Sequence, residues 1–398
     1  MRPDFERWYE KNKTRLVAWR RDLHEHPEIG FEVHRTADFV AGKLREFGLE
    51  VETGIGKTGV VGILRSGKSN AAPVAFRADM DALPMQEMAE VAYKSRSKDR
   101  FHGCGHDGHT TTLLATAKFL AEDPEFEGNA VFIFQPAEEI LAGARAMIAD
   151  GIIEKYRPAE IYALHNIPGM EVGKAGVVRG GALASSDFVR VEVSASGTHG
   201  SAPHSGQDGV LAAATFLTTL QQSVTRVIDS RESGVISFGM IHGGTAPNIL
   251  PDLVVVEGTM RTLSQEVRDR LVRQIEKVAK ACEETFDVDI SIDIEKAVPV
   301  TQNNLDCCDA VTAAINATLG PGRVVKDPPA IMASEDFSLF LEQIPGAYFF
   351  VGQDGAYCHH PEYVFDDNII ETGAQIFAEI ARQRCKPLAH NKHHETTV

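Results

Sequence analysis

The 398-residue sequence has no run of eighteen apolar residues, so no segment reads as a membrane span. Its opening, Met1-Arg2-Pro3-Asp4-Phe5-Glu6-Arg7, carries charge but no apolar core, and no secretory leader is read there. Positive charge is in deficit: 40 Lys and Arg against 56 Asp and Glu leave a net charge of −16. Nucleic-acid binding rests on neutralising phosphates with Lys and Arg, so nucleic acid is excluded as the main partner. Cysteine is sparse. Six residues, at 104, 282, 307, 308, 358 and 385, show no framework spacing and read as reduced thiols in the cytoplasm. Internal repeats and low-complexity segments are also missing. What remains is the composition of a globular protein, 43% hydrophobic and 24% charged, long enough for two or three domains.

The stretch richest in chemical groups is Phe101-His102-Gly103-Cys104-Gly105-His106-Asp107-Gly108-His109-Thr110. Glycine lets a backbone approach a ligand closely, and a thiolate and an imidazole two residues apart can then reach one site. Transition metals take Cys sulfur, His nitrogen and Asp or Glu oxygen. Cys-x-His is not a recognised metal spacing by itself, and a Gly-rich turn with surface histidines is the plainer reading of the stretch in isolation. Its neighbours along the chain decide between them.

Apolar spacing predicts helices over residues 4–22 and 36–47, the second closed by Gly48. Between them, Leu23-His24-Glu25-His26-Pro27-Glu28 reads as an ordinary turn at a helix end. Gly54-Ile55-Gly56-Lys57-Thr58-Gly59 spells a dinucleotide fingerprint, but Val60 to Leu64 continue as a strand where a helix is required. It reads as a turn between two strands. Strands are predicted over 73–77, 130–135, 160–164 and 347–351, and helices from about 110 to 121 and 144 to 149. Strands alternating with helices predict a mostly parallel sheet covered on both faces. Ligands bind such sheets beyond the carboxyl ends of the strands. Asp79, Asp81, Glu138, Glu139, His165 and His359 all fall just past such an end, so separate segments deliver metal-type donors to one edge. The fold class is therefore α/β, a catalytic metal-binding domain over 1–185 and 298–398. Residues 186–297 read β-α-β-β-α-β, an inserted ferredoxin-like domain. The tail from about 386, with His390, His393 and His394, reads as disordered and receives no role.

Cys104, His106, Glu139, His165 and one histidine of the 359–360 pair make five candidate donors, too many for the usual four-ligand structural zinc. Five with a carboxylate suit two ions sharing a water, as amide hydrolysis requires. Glu138 is then the candidate general base. In the inserted segment His199 could stabilise an oxyanion and Arg261 a carboxylate. Asn248 lies in a similar polar turn, Thr245-Ala246-Pro247-Asn248.

These motifs together resemble the amidohydrolase branch of the dinuclear metallopeptidases, which includes aminoacylases, hippurate hydrolases and indole-acetyl-amino-acid hydrolases. The resemblance runs from about Phe5 to Ala381. It rests on Arg21-Asp22-Leu23-His24 with Pro27-Glu28, Arg77-Ala78-Asp79-Met80-Asp81-Ala82-Leu83-Pro84, Cys104-Gly105-His106-Asp107, Phe134-Gln135-Pro136-Ala137-Glu138-Glu139, Gly243-Gly244-Thr245-Ala246-Pro247-Asn248, Ser334-Glu335-Asp336-Phe337 and His359-His360-Pro361. Gly103 stands where alanine is common. The resemblance implies two divalent ions per subunit (Zn, Mn, Co or Ni) held by Cys104, His106, Glu139, His165 and His359, with Glu138 as base to a metal-bound hydroxide. It implies that Asn248 and Arg261 hold the substrate carboxylate, and that His199 reaches the active site of a partner subunit in a homodimer or homotetramer. Asp79 and Asp81 match positions around the ligands, one or the other of which orients a ligand. The expected reaction is hydrolysis of N-acyl amino acids of the N-acetyl or N-benzoyl type. A dipeptidase or carboxypeptidase with the same site, a cysteine hydrolase using Cys104 and a non-catalytic binding protein are the rivals.

Overall fold

In the computed structural model, residues 4–67 and 70–385 are described; the histidines of the tail, His390, His393 and His394, lie outside them. The chain divides into two compact units. The first comprises Met1–Gly180, Asn303–Pro328 and Leu339–Val398, and the second Gly181–Gln302 and Pro329–Ser338.

The first unit is built on a seven-stranded sheet. In spatial order its strands are Glu50–Ile55, Gly59–Arg65, Asn129–Gln135, Val74–Asp79, Glu160–Pro168, Gly346–Gln353 and Ala175–Val177. The four strands from Asn129–Gln135 to Gly346–Gln353 pair in parallel, and the marginal strands pair antiparallel. Parallel strands are buried on both faces and so carry continuous apolar runs; Val74–Asp79, Asn129–Gln135 and Gly346–Gln353 are buried at every position. Alternate side chains go to opposite faces. Phe76, Phe132, Phe134, Tyr162 and Phe349 join one core with the helices Phe5–Glu25, His34–Glu46, His106–Ala121, Leu305–Thr318 and Asn368–Arg384. Val131 and Ile133 face the other way, toward Ile152, Tyr156 and Ile344. Asp4 caps the first helix by accepting from Glu6 N at 3.2 Å. Its apolar stripe of Phe5, Tyr9, Leu16, Trp19 and Leu23 is buried.

Three boundaries differ from the pattern reading. The helix expected from about 110 begins at His106, because it is buried on all sides and shows no amphipathic period. The strand expected to stop at Leu164 continues to Pro168. His165 therefore lies inside the strand, opposite Phe350, and Asp79 is the last residue of its own strand. The helices Leu305–Thr318 and Asn368–Arg384 were not read from the sequence at all.

The second unit holds a four-stranded antiparallel sheet in the order Gly234–Gly243, Leu253–Thr262, Ser186–Ser194, Asp289–Val298. Val189, Val191, Val193, Val254 and Val256 pack in one core with the helices Gly209–Val227 and Gln265–Phe286, while Phe188, Arg190 and Ser194 of the same strand are exposed. Asp208 and Ser264 cap the two helices, accepting from Leu211 N at 2.9 Å and Val267 N at 3.1 Å. This unit is wider than the β-α-β-β-α-β pattern. Residues 329–338 join it through the bridge Leu183↔Ile331 and through Arg261, which donates to Ser334 Oγ at 2.5 Å.

Candidate metal centre

The centre lies where the four parallel strands end. Gly105, at φ 92, turns the chain into the helix that starts with His106. A Cβ at Gly105 would sit 2.6 Å from both Asn166 Oδ1 and Tyr363 Oη, so only glycine allows the turn. After Asn129–Gln135, Ala137 takes the left-handed region at φ 56 and swings Glu138 and Glu139 back over the strand ends. Asp81 fixes that turn, accepting from the backbone N–H of Glu138 at 3.0 Å and of Glu139 at 3.1 Å. After Gly346–Gln353, His359 also sits at positive φ, 67°, a conformation uncommon for a residue of its bulk. Its N–H donates to the Gly103 carbonyl at 2.8 Å.

These turns bring Cys104, His106, Glu138, Glu139, His165 and His359 together. Three overlapping sets of donor atoms each lie within 4.8 Å of one another: Cys104, His106 and His165; Cys104, Glu139 and His359; His106, Glu138 and Glu139. His106 Nε2 is 3.7 Å from Glu139 Oε1 and 3.9 Å from Glu138 Oε2, and His359 Nε2 is 3.4 Å from Glu139 Oε2. His360 does something else: its Nδ1 accepts from Glu362 N at 3.1 Å. His165 Nδ1 lies 2.6 Å from the Asn166 carbonyl. A carbonyl only accepts, so the proton sits on Nδ1 and the Nε2 lone pair faces Cys104 Sγ at 3.3 Å. Burial and neighbouring His109 hold His165 well below the usual imidazole range, so it is a neutral ligand-type ring.

The electrostatics call for a cation. Burial by itself would lower the pKa of His106, but Asp79, Asp81 and Glu139 outweigh it and raise it to about 10. Both ring nitrogens of His106 and Oε1 of Glu139 are buried without a hydrogen-bond partner among the described residues. Leaving such atoms unpaired costs about 1–3 kcal/mol each. Mixed S, N and O donors, partly unpaired and surrounded by carboxylates, fit divalent transition ions. Around them stands a ring of supports. Asp81 Oδ1 is 3.6 Å from His106 Nδ1. Asp79 accepts from Arg77 at 2.6 Å and meets His109 Nδ1 at 2.7 Å, and His109 Nε2 lies 2.8 Å from Asn166 Oδ1. Among the candidate ligands it is His165 whose other nitrogen is held by a hydrogen bond, from Nδ1 to the Asn166 carbonyl, which fixes its tautomer and aim.

The sequence reading missed His109, and it missed His24. The histidine taken for an ordinary turn residue is buried in the first helix, its Nδ1 2.8 Å from Asp107 Oδ2 and its Nε2 3.2 Å from Glu87 Oε1. A signal was present in Asp107, which directly follows His106, but its partner is 83 residues away.

The three residues singled out in the second unit are placed as follows. His199 lies on the short ribbon Thr198–His199, paired with Ile249–Leu250, and is exposed. Its Nδ1 accepts from Ser201 N at 3.1 Å and meets Ser201 Oγ at 2.8 Å. Asn248 is exposed in the turn before that ribbon and its carbonyl accepts from Gly200 N at 2.7 Å. Arg261, on Leu253–Thr262, is the residue that meets Ser334.

A parallel-centred α/β sheet with this donor set at its carboxyl edge defines the class: a metallohydrolase with room for a dinuclear centre. The chain belongs to peptidase family M20/M25/M40, whose model matches residues 75–383. It is 40% identical to the hippurate hydrolase of Campylobacter jejuni over 92% of this chain and 96% of that protein. It is 34% identical to the N-acetyl-L-cysteine deacetylase of Bacillus subtilis over 93% and 88%. Among solved structures, the YXEP protein of Bacillus subtilis, described as a dinuclear metal-binding peptidase of the M20 family, matches with a TM-score of 0.84 and 32% identity. That match covers 94% of this chain and 98% of the other.

Proposed function

We propose that this chain is a metal-dependent amidohydrolase cleaving N-acyl amino acids, of the N-acetyl or N-benzoyl type, to a carboxylic acid and a free amino acid. The observation that carries the reading is the convergence of five donors, from Cys104, His106, Glu139, His165 and His359, with the Glu138 carboxylate beside them. We assign those five as ligands of two divalent ions. When bound, the ions lower the pKa of a water and polarise the amide carbonyl. Zn, Mn, Co and Ni all suit the S, N and O set.

The chain's own groups do the rest. Glu138 takes the proton of the attacking water and returns it to the leaving nitrogen. Asp81 holds the Glu138–Glu139 backbone, which keeps base and ligand in register. In the second unit, the Ser201 N–H on Nδ1 leaves the neutral His199 ring with its proton on Nε2, a donor that we assign to the developing oxyanion. Asn248 and Arg261 are assigned to the substrate carboxylate. A homodimer or homotetramer in the cytoplasm completes the reading. It is supported by six cysteines free of disulfides and by an exposed edge strand in the second unit.

The test uses protein of measured metal content. Glu138→Gln should retain both ions while kcat on N-benzoylglycine falls by roughly 10²–10⁴-fold. Full activity in that variant would remove Glu138 from its role. Wild-type protein should prefer N-benzoylglycine or an N-acetyl amino acid over a dipeptide with a free α-amine; the opposite preference selects the dipeptidase or carboxypeptidase reading.

A further inference from the structure

The two halves of the centre are held differently. Glu139 and His359 meet at 3.4 Å, and the His359 side chain is 54% exposed. His106 and His165 stand instead against His109, whose ring centre lies 5.4 Å from that of His106 and 4.5 Å from that of His165. His109 is buried, and it joins a chain of buried polar groups that crosses all four parallel strands. On one side, Arg77 Nε donates to Gln135 Oε1 at 2.9 Å and Arg77 Nη1 to Asp79 Oδ2 at 2.6 Å, while Asp79 Oδ1 meets His109 Nδ1 at 2.7 Å. On the other, His109 Nε2 meets Asn166 Oδ1 at 2.8 Å, and Asn166 Nδ2 donates to Gln353 Oε1 at 3.3 Å and to Tyr363 Oη at 2.7 Å. The chain also fixes which atoms donate. Gln353 Nε2 donates to the Val364 carbonyl at 3.0 Å, and its Oε1 accepts from Asp366 N at 3.2 Å. An amide set in this way accepts the Asn166 NH₂ on Oε1, which turns Asn166 Oδ1 toward His109. An oxygen there requires an N–H on Nε2, and the Asp79 carboxylate requires one on Nδ1. Asp79, His106 and His109 have donor atoms within 4.8 Å of one another, yet both His109 nitrogens are occupied as donors and neither has a lone pair to give an ion.

We propose that His109 is a positioning residue that makes the two halves of the centre unequal: it aims His165 through Asn166 and packs against His106, so that Cys104, His106 and His165 form the tight half and Cys104, Glu139 and His359 the exchangeable one. The inference rests on the reading of those residues as ligands. Asn166 is the link, because the residue whose side chain meets His109 is also the one whose carbonyl holds His165 Nδ1 at 2.6 Å. Donors already fixed in their bound geometry give up little freedom when an ion arrives. Groups that hold the far side of a metal ligand carry about 10–100-fold in metal affinity. His165 has that support from a buried chain anchored on neighbouring strands. His359 stands on a loop, largely in solvent, and its ring is ordered against Glu139, itself a ligand of the same half. The first ion therefore settles on the braced half, and the second comes and goes on the other.

The experiment titrates metal-free full-length protein with Zn²⁺ in competition with a chromophoric chelator. Wild type should fill in two steps, the first tighter than the second by roughly tenfold or more. His165→Ala should remove the first step and His359→Ala the second, which labels them. His109→Phe keeps an aromatic ring and loses both hydrogen bonds. It should weaken the first step by about 10–100-fold and leave the second where it was. His109→Gln, which keeps one donor, should fall between wild type and His109→Phe, and it carries the test if the Phe variant does not fold. Equal weakening of both steps would show a general loosening and overturn the proposal. So would an unchanged first step in both His109 variants, or a wild type that fills both sites with one affinity. Intact steps in both Cys104→Ser and His165→Ala would bring down the ligand assignment itself. Steps that respond to those two variants and not to His109→Phe overturn the positioning role alone, which tells the two failures apart.

Discussion

His24 carries a carboxylate on each ring nitrogen, Asp107 on Nδ1 and Glu87 on Nε2, so both nitrogens donate and the ring is an imidazolium. Burial would lower its pKa, but Asp107 and then Glu87 outweigh burial and raise it to about 9. Because the folded pKa lies above the unfolded value of about 6.5, the ion pair stabilises fully below pH 6.5 and its contribution is lost as pH rises through 9. At about 1.4 kcal/mol per pKa unit this amounts to roughly 3 kcal/mol. The low pKa of Asp107 is the other side of the same pair and is not counted again. The urea midpoint should therefore fall between pH 6.5 and 9.5 in wild type and change much less in His24→Gln. An equal fall in both would show that the pair is not the cause. At this scale the sequence displayed the donors, but not which ones were supports. Nothing in Leu23-His24-Glu25-His26-Pro27 points 63 and 83 residues ahead, to Glu87 and Asp107.

The helix His106–Ala121 shows what pattern reading loses at the scale of elements. It is buried from His106 to Leu120, so no polar face marks its period. Its threonines are accommodated by bonding backward: Thr111 to the Asp107 carbonyl, Thr112 to that of Gly108 and Thr116 to that of Thr112, while Thr110 donates to the Asp79 carbonyl at 2.7 Å. The last bond pins the helix to the strand that ends in Asp79. Gly108, in the first turn, has the Phe365 ring directly against it, where a Cβ would clash. Phe365 is 1% exposed and has no room to retreat. Gly108→Ala should cost about 1–3 kcal/mol by overpacking, lowering the melting temperature, and should weaken metal binding measured by titration. Unchanged melting and metal affinity would mean that the ring moves freely. The short strands and turns that aim Glu138 and His359 depend on positive φ at Ala137 and at His359 itself, which no residue type announced.

For the whole molecule, the open question is assembly. In the second unit, Gly234–Gly243 is an edge strand, with Val235 42%, Met240 48% and Ile241 51% exposed. An unpaired apolar edge is a template for pairing with another chain. Oligomerisation of the proposed kind through this strand predicts that replacing both Met240 and Ile241 by lysine will lower the mass measured by light scattering to that of one chain. An unchanged mass in that double variant would place the contact elsewhere. The two-unit division was visible as a change of rhythm, from strands alternating with helices to β-α-β-β-α-β. The recruitment of 329–338 to the second unit was not, since it rests on backbone bonds that tie Ile331 and Ala333 to Ala182 and Ala184 and on Arg261 meeting Ser334, contacts between residues far apart in the chain.

By itself the sequence determined the chemistry available: a thiol, imidazoles and carboxylates placed near the ends of apolar runs, in a chain whose alternating strands had to gather those ends along one edge. Strand periodicity and covalent order are local properties, and local properties can be read in a line. Tertiary structure alone decided which groups face one another. It separated His359 from His360, turned Glu138 and Glu139 toward His106, and set Asp81, His109 and His24 as braces. The reason is physical: orientation around a buried site depends on backbone turns and on partners scores of residues away, and only packing brings those together.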